Sequence, residues 1–273
     1  MPELPEVEAT CRALAPHLSD RTIVAVRLRT VKLRHHLAPE LVTLLPGKRI
    51  EGLARRGKYL LLACTGGTLL IHLGMTGHLR LAPAGAPSGR YDHVEILLDN
   101  GRHLRLSDPR KFGSVIWVDG DPLIHPLLRV LGPEPLSDDF GPAYLQRVCR
   151  NRKVAVKLIL MNSRLLAGVG NIYASESLFR AGINPSMPAG MLDGTECARL
   201  AAAVREILGE AVARGEKTRD SFFSVEERPV YFPLEATVYG RGGEPCTVCG
   251  TAIRRETLGN RSTFWCPTCQ PSR

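Results

Sequence analysis

The 273-residue sequence has no run of about 18 apolar residues, which excludes a membrane-spanning helix of ordinary length. Its first residues, Met1-Pro2-Glu3-Leu4-Pro5-Glu6, lack the basic start and apolar stretch of a secretory signal, so the expected location is the cytoplasm. No glycine-rich loop runs into Gly-Lys-Ser/Thr, which sets aside a P-loop nucleotide site. Internal repeats and low-complexity segments are absent too. Acidic side chains are the scarcer charge: 27 Asp and Glu stand against 36 Lys and Arg, a net charge of +9. That excess suits a polyanionic partner, because Lys and Arg contacts to phosphate release condensed counterions.

Of the 8 cysteines, Cys11, Cys64, Cys149 and Cys197 are scattered singly in apolar surroundings and read as reduced core residues. The other four form two close pairs, Cys246-x2-Cys249 and Cys266-x2-Cys269, with residues 250–265 between them. In a reducing compartment this is the spacing of a tetrahedral four-thiolate zinc site. Four thiolates close the coordination shell, so the expected cofactor is one structural zinc ion with no part in catalysis. Between the pairs, Arg254, Arg255 and Arg261 face a single acid, Glu256, and offer a surface for phosphates.

Along the chain, Pro5 fits the first turn of a helix ending near Leu14, with Pro16 as its stop. Short β-type runs follow: 22–28, 59–64, 68–73, 93–98, 103–106 and 114–118. Gly66-Gly67 and Asn100-Gly101 supply hairpin turns. Regular strands with tight turns predict an antiparallel sandwich or barrel over roughly the first 130 residues. After Gly132-Pro133-Glu134-Pro135 the pattern turns helical, with stretches over 153–161, 173–180 and 195–214, the last stopped by Gly215. A mixed segment over 217–233 leads to a short β-rich tail.

Two segments point to chemistry. Leu166-Ala167-Gly168-Val169-Gly170-Asn171 joins two helical stretches, where glycines let backbone N–H groups approach a ligand and the second helix offers its N-terminus to an anion. At the other end, removal of Met1 before a proline would expose Pro2 as a secondary amine. An α-amino group titrates near about 8, so it serves as a nucleophile for Schiff-base chemistry at neutral pH. Glu3 beside it can move the protons that making and breaking an iminium require.

The ordered set of motifs resembles the formamidopyrimidine-DNA glycosylase family. The segments are Met1-Pro2-Glu3-Leu4-Pro5-Glu6, Arg56-Gly57-Lys58-Tyr59-Leu60, His72-Leu73-Gly74-Met75-Thr76-Gly77, Asp108-Pro109-Arg110-Lys111-Phe112-Gly113, Gly168-Val169-Gly170-Asn171-Ile172-Tyr173-Ala174-Ser175-Glu176 and Arg261-Ser262-Thr263-Phe264 among the cysteines. They run in the family's order from one end to the other.

The resemblance implies an α+β chain in three parts. These are an N-terminal antiparallel β-sandwich over 1–132, a helical domain with a helix–two-turn–helix over 133–235, and a four-cysteine zinc finger over 236–273. It implies a monomer acting on double-stranded DNA that contains oxidised purines or abasic sites, with the damaged base flipped out of the stack because its C1′ is otherwise inaccessible. Pro2 would attack C1′, Glu3 would act as acid and base on the opening sugar, and Lys58 and Arg261 would assist the two eliminations. Met75, Arg110 and Phe112 would fill the void left by the base. Met is pliable, Phe wedges between base steps, and Arg can bond the orphaned cytosine. Glu6, His72, Tyr91, Arg152, Lys157 and Asn171 would complete the DNA contacts, and Cys246, Cys249, Cys266 and Cys269 would hold the zinc.

The chain departs from the family pattern in places. Tyr91-Asp92-His93 stands where His-Asp-His is usual, and Met161-Asn162-Ser163-Arg164 replaces an Asp-Gln/Asn-Lys entry to the turn. The segment 217–233, where the family carries its base-capping loop, keeps Thr218, Arg219 and Asp220 and then diverges. Two other functions compete: a related glycosylase for oxidised pyrimidines, and a DNA-binding protein without catalysis. Having Pro2, Glu3 and Lys58 together disfavours the second, and the set Met75, Arg110 and Phe112 disfavours the first.

Overall fold

Leu4, Val7, Leu14 and Leu18 recur at helical spacing and are all buried along helix α1, Leu4–Leu18. The sequence reading stops this helix at Pro16, whereas the structure carries it on to Leu18. Arg12 and Pro16 lie on the exposed side, where water can take the carbonyl that proline leaves without a donor, and burying Leu18 offsets the lost bond. In this computed structural model residues 2–215, 222 and 236–272 are described. They divide into two compact units, Met1–Arg129 with Val212–Phe232 and Val130–Ala211 with Pro233–Arg273. The capping-loop segment 217–233 lies outside the described residues, apart from Phe222, which is buried in the core of the first unit.

After α1 the first unit contains β1 (Ile23–Leu28), α2 (Leu41–Leu44), β2 (Ile50–Arg56), β3 (Tyr59–Cys64), β4 (Gly67–His72), β5 (His78–Ala82), β6 (Asp92–Leu98), β7 (His103–Ser107) and β8 (Ser114–Asp119). These strands form two four-stranded antiparallel sheets, ordered β1-β6-β7-β5 and β2-β3-β4-β8. Leu79, Leu81, Ile96 and Leu104 of one sheet and Leu60, Leu62, Leu69 and Ile71 of the other share one core with α1. Of the sandwich or barrel that the regularly spaced runs and tight turns predict, this is the antiparallel sandwich. Strands β2 and β5 escape the sequence reading. Gly52 and two arginines dilute the β signal of Ile50–Arg56, and β5 carries His78 and Arg80 although all five of its residues are buried. The turn between β3 and β4 also shifts by one residue: Cys64 pairs with Gly67, which leaves Thr65-Gly66 as the turn, with Gly66 at φ 84°.

The charges on β5, β6 and β7 form a buried ionic layer. Arg80 Nη2 donates to both oxygens of Asp92 at 2.8 and 2.7 Å, and Arg105 Nε donates to Glu95 Oε2 at 2.7 Å. The remaining Arg105 nitrogens donate to the carbonyls of Pro87 and Ala86 at 2.8 and 2.6 Å, which ties down the loop after β5. Buried guanidinium groups persist because every charge here has an opposite charge and directional hydrogen bonds.

The second unit holds α3 (Pro142–Cys149), α4 (Val156–Met161), α5 (Asn171–Arg180), most of α6 (Gly194–Gly215) and the hairpin β9 (Arg254–Leu258) with β10 (Arg261–Trp265). Helix α4 starts three residues later than the periodicity predicts, because Val154 and Ala155 are used in bridging to Ala189 and Pro188. Between α4 and α5, Asn162 receives the N–H groups of Leu165 and Leu166, and Gly168 turns at φ 83° to cap α5 through Gly170. Val156, Leu160, Leu178, Leu200, Val204 and Leu208 form its core. None of the described helices is long and apolar enough to cross a membrane.

Replacing Arg105 with Leu should destabilise the first unit by about 2–3 kcal/mol, since the buried Glu95 carboxylate loses its shorter charged hydrogen bond and is left with Arg27 at 3.3 Å and the Ser88 hydroxyl at 3.0 Å. Urea unfolding followed by circular dichroism measures this, and a loss below about 1 kcal/mol would contradict a paired buried layer.

Candidate active site and metal centre

The N-terminal end of α1 is tied down by its own carboxylates. Glu3 is the residue before the helix, is fully buried, and donates its N–H to Glu6 Oε2 at 2.8 Å. Its side chain in turn accepts the N–H of Glu6. This reciprocal box satisfies donors that a helix start leaves open, and Pro5 in the first turn needs none. Pro2, half-buried, directly precedes this fixed point. Met1 lies outside the described residues.

Lys58 is brought to the same helix by a tight hairpin. Arg56 pairs with Tyr59, so Gly57 and Lys58 alone turn the chain, with Gly57 at φ 58° as such a turn requires. Arg55 pins the hairpin to α1: its Nε donates to Glu8 Oε2 at 2.6 Å and its Nη1 to the carbonyl of Gly57 at 3.0 Å. Burial alone would raise the Glu8 pKa, but hydrogen bonds and charge from Arg55 and Arg12 hold it below the usual carboxylate value. A carboxyl depressed in the folded state stabilises it above the unfolded pKa, and that contribution is lost as pH falls through the folded pKa. Pro2, Glu3 and Lys58 therefore sit on two elements joined by one ion pair.

His72 ends β4. Its Nδ1 accepts the N–H of Gly74 at 2.9 Å, and its ring lies 4.8 Å from that of Tyr59. Burial, together with the charges of Arg34 and Lys58, lowers its pKa to about 4. The imidazole is accordingly neutral at neutral pH, with its proton on Nε2, a hydrogen-bond donor without charge. Tyr91 is half-buried beneath the Arg90 guanidinium, 5.5 Å from the ring centre.

The expected void-filling residues stand together on two adjoining loops. Met75 and Phe112 are among the exposed large apolar side chains, at 36 % and 41 %, and the Arg110 guanidinium lies 4.7 Å above the Phe112 ring. Exposed Met and Phe have an energetic cost in water and suit a surface meant to be covered. Gly74, at φ 66°, lies so close to the backbone of Phe112 that a Cβ there would fall 2.4 Å from its carbonyl carbon. Asp108 and Thr76, for which the sequence predicts no role, hold these loops; an Asp in a turn-like Asp-Pro-Arg gives no sign of its partners.

In the second unit, Arg261 is exposed at the start of β10, next to a two-residue turn in which Gly259 and Asn260 both have positive φ. Arg152 is exposed beyond α3. The resemblance places Lys157 at a phosphate, and here the structure corrects it. Lys157 is fully buried, and its ammonium donates to the carbonyl of Ser262 at 3.2 Å and to Thr263 Oγ1 at 2.7 Å. An ammonium spent in this way holds the hairpin that carries Arg261. Asn171, at the start of α5, donates to the same Ser262 carbonyl at 2.9 Å. Glu176, for which the sequence predicts no role, accepts the N–H groups of Thr237, Val238 and Tyr239 at 2.8–3.0 Å and fixes the chain leading into the finger.

The sulfurs of Cys246, Cys249, Cys266 and Cys269 lie within 4.8 Å of one another. A tetrahedron with Zn–S bonds of about 2.3 Å has edges of about 3.8 Å, so the four thiolates fit one zinc ion. The N–H groups of Val248 and Cys269 point at Cys246 and Cys266 sulfurs at 3.5 and 3.4 Å, and Gly250 relieves the first knuckle at φ 75°. Few apolar residues back this centre, among them Val238, Ile253 and Phe264.

Comparison with known proteins adds three matches that together span most of the chain. Residues 1–115 match the formamidopyrimidine-DNA glycosylase N-terminal domain, residues 131–222 that family's H2TH domain, and residues 243–271 a zinc finger found in FPG and IleRS. The chain is 54% identical over 270 residues to the formamidopyrimidine-DNA glycosylase of Geobacter sulfurreducens, covering 99% of this chain and 100% of that one. Among solved structures it is similar to Thermus thermophilus MutM (FPG), with a TM-score of 0.83 and 38% identity, covering 100% of both chains. It is also similar to Lactococcus lactis Fpg bound to DNA containing an abasic site, with a TM-score of 0.87 and 31% identity, covering 99% of this chain and 100% of that one.

Replacing Cys246 with Ser, or stripping the metal with a chelator, should unfold the β9–β10 hairpin, because so small a core folds at the expense of metal binding. Metal analysis should find one zinc per intact chain and hairpin amide signals that vanish in the variant; a folded hairpin without zinc would contradict this.

Proposed function

This chain belongs to the formamidopyrimidine-DNA glycosylase family of glycosylase/AP lyases, and from that premise we propose which lesions it removes and how its residues do so. Its substrates are oxidised purines, 8-oxoguanine and formamidopyrimidines, in duplex DNA, and it works as a monomer. The nucleophile is the amine of Pro2 once Met1 is gone. Its nitrogen attacks C1′ of the flipped nucleotide, the glycosidic bond breaks, and the base leaves with the bonding electrons and takes up a proton. The sugar ring opens to an iminium on the proline nitrogen, with Glu3 delivering and removing protons at the ring oxygen.

The iminium then draws electrons from C2′ as that carbon loses a proton, and the 3′ phosphate departs. A second proton loss, at C4′, expels the 5′ phosphate, and water releases the sugar fragment from Pro2. Lys58 and Arg261 bind the departing phosphates and assist the two eliminations. Met75, Arg110 and Phe112 occupy the vacated space, while Glu6, His72, Tyr91, Arg152 and Asn171 contact the DNA. No redox chemistry enters, because the iminium itself is the electron sink.

The observation that carries this reading is the N-terminal arrangement. A proline able to become a secondary amine precedes a buried, hydrogen-bonded Glu3, and the hairpin bearing Lys58 is pinned to the same helix through Arg55 and Glu8. One observation favours a broader lesion range. Lactococcus lactis Fpg, 32% identical, is known in complex with DNA containing an oxidised pyrimidine.

Borohydride reduction in the presence of a duplex with one 8-oxoguanine opposite cytosine should trap a covalent adduct, and mass spectrometry should find it on an N-terminal proline. Trapping only on thymine glycol would move the substrate to oxidised pyrimidines. No adduct on either lesion, from protein whose Pro2 is free, would contradict Schiff-base catalysis.

A further inference from the structure

Asp108 is fully buried, yet it belongs to neither the ionic layer nor the set of DNA contacts. Its carboxylate joins the two loops that carry Met75, Arg110 and Phe112. Oδ1 accepts the Thr76 hydroxyl at 2.8 Å and the N–H of Arg110 at 3.3 Å, and Oδ2 accepts the N–H of Gly113 at 2.7 Å. Thr76 Oγ1, next to Met75, lies 3.3 Å from that same Arg110 nitrogen. The backbone of Asp108 extends the junction: its N–H donates to the carbonyl of Tyr91 at 3.0 Å, and its carbonyl lies 3.0 Å from His93 Nε2.

We propose that Asp108 and Thr76 are positioning residues that set the choice of the base opposite the lesion. They do so by fixing Arg110 against Met75 and Phe112. This deepens the reading given under Proposed function and rests on it. A guanidinium discriminates between bases only if its backbone is held, because a hydrogen bond loses its value when the donor can swing away. Here the carboxylate clamps the backbone on both sides of Arg110, at its own N–H and at Gly113. Lys111, between them, sits at φ 57°, a left-handed conformation uncommon for a lysine. The hydroxyl of Thr76 links this clamp to the neighbouring loop, so the three side chains keep one spacing.

The test compares three forms of the full chain: wild type, Thr76→Val, which removes the hydroxyl at little change in volume, and Thr76→Ser, which keeps it. Excision of 8-oxoguanine is measured opposite cytosine and opposite adenine, together with cleavage of a single-stranded abasic oligonucleotide, which has no opposite base. Thr76→Val should lose about tenfold in its cytosine-over-adenine ratio of kcat/KM, as expected for one unmade buried hydrogen bond. Cleavage of the single strand should stay within about twofold, and Thr76→Ser should restore the ratio. An Asp108→Asn chain that folds should lose the ratio in the same way. An equal fall on all three substrates, or an unchanged ratio in Thr76→Val, would overturn the proposal while leaving the Pro2 chemistry standing. Absence of any excision by the wild type would overturn the underlying reading, and this one with it.

Discussion

A nucleophile at the very start of a chain, as proposed for Pro2, invites fraying, because terminal residues are the least restrained in most domains. The capping box between Glu3 and Glu6 answers that constraint, and much of the first unit is arranged around it. Glu3 has no exposed surface, Leu4 and Val7 are buried directly behind it, and Leu14 and Leu18 lock the far end of α1 into the sandwich core. The ion pair from Glu8 to Arg55 then carries the β2–β3 hairpin, and Lys58 with it, to the same helix. The residues that follow Pro2 are thus held like core residues, as the proposed Schiff-base chemistry at a single carbon demands.

The second unit applies the same principle to a different end of the chain. Its finger is too small to fold by burial alone and depends on four thiolates. The helices then hold it through polar side chains: Lys157 and Asn171 converge on the Ser262 carbonyl, Glu176 receives three backbone N–H groups, and Gln270 Nε2 donates to the carbonyl of Ile183 at 2.8 Å. The hairpin that presents Arg261 is therefore oriented by the helix–two-turn–helix. Coupling the hairpin of Arg261 to buried polar contacts fixes its backbone while leaving its side chain exposed, as the proposed phosphate contact requires.

Much of this was legible in the sequence, for physical reasons that differ by element. The zinc centre was readable because the two Cys-x-x-Cys knuckles encode their geometry in local spacing. Strands β3 and β4 were readable because short continuous apolar runs bounded by turn residues report buried strands, and β7 because its leucines alternate with polar residues. Strands β2 and β5 were not, because Arg55 and Arg80 find their carboxylate partners on other elements, at Glu8 and Asp92, and a pattern of hydropathy carries no trace of them. Pro16 misled as a stop signal, since the burial of Leu18 outweighs one missing hydrogen bond. The site followed the same division. The motif around Asp108 could be matched residue by residue, but that its carboxylate joins two loops could not be read from it. Lys157 shows the reverse case, a cation whose motif position suggested DNA and whose partners turn out to lie within the protein.

In the proposed mechanism the Pro2 amine performs the chemistry, and α1 with the β2–β3 hairpin holds it in place. Single-turnover cleavage of a duplex containing one abasic site, by chains with free Pro2 and by chains that retain Met1, tests this most directly. The account predicts equal DNA affinity in the two forms and strand cleavage only where Pro2 is free. Cleavage at comparable rates by the Met1-bearing chain would contradict it, because an amide nitrogen cannot attack C1′ and another nucleophile would have to be found.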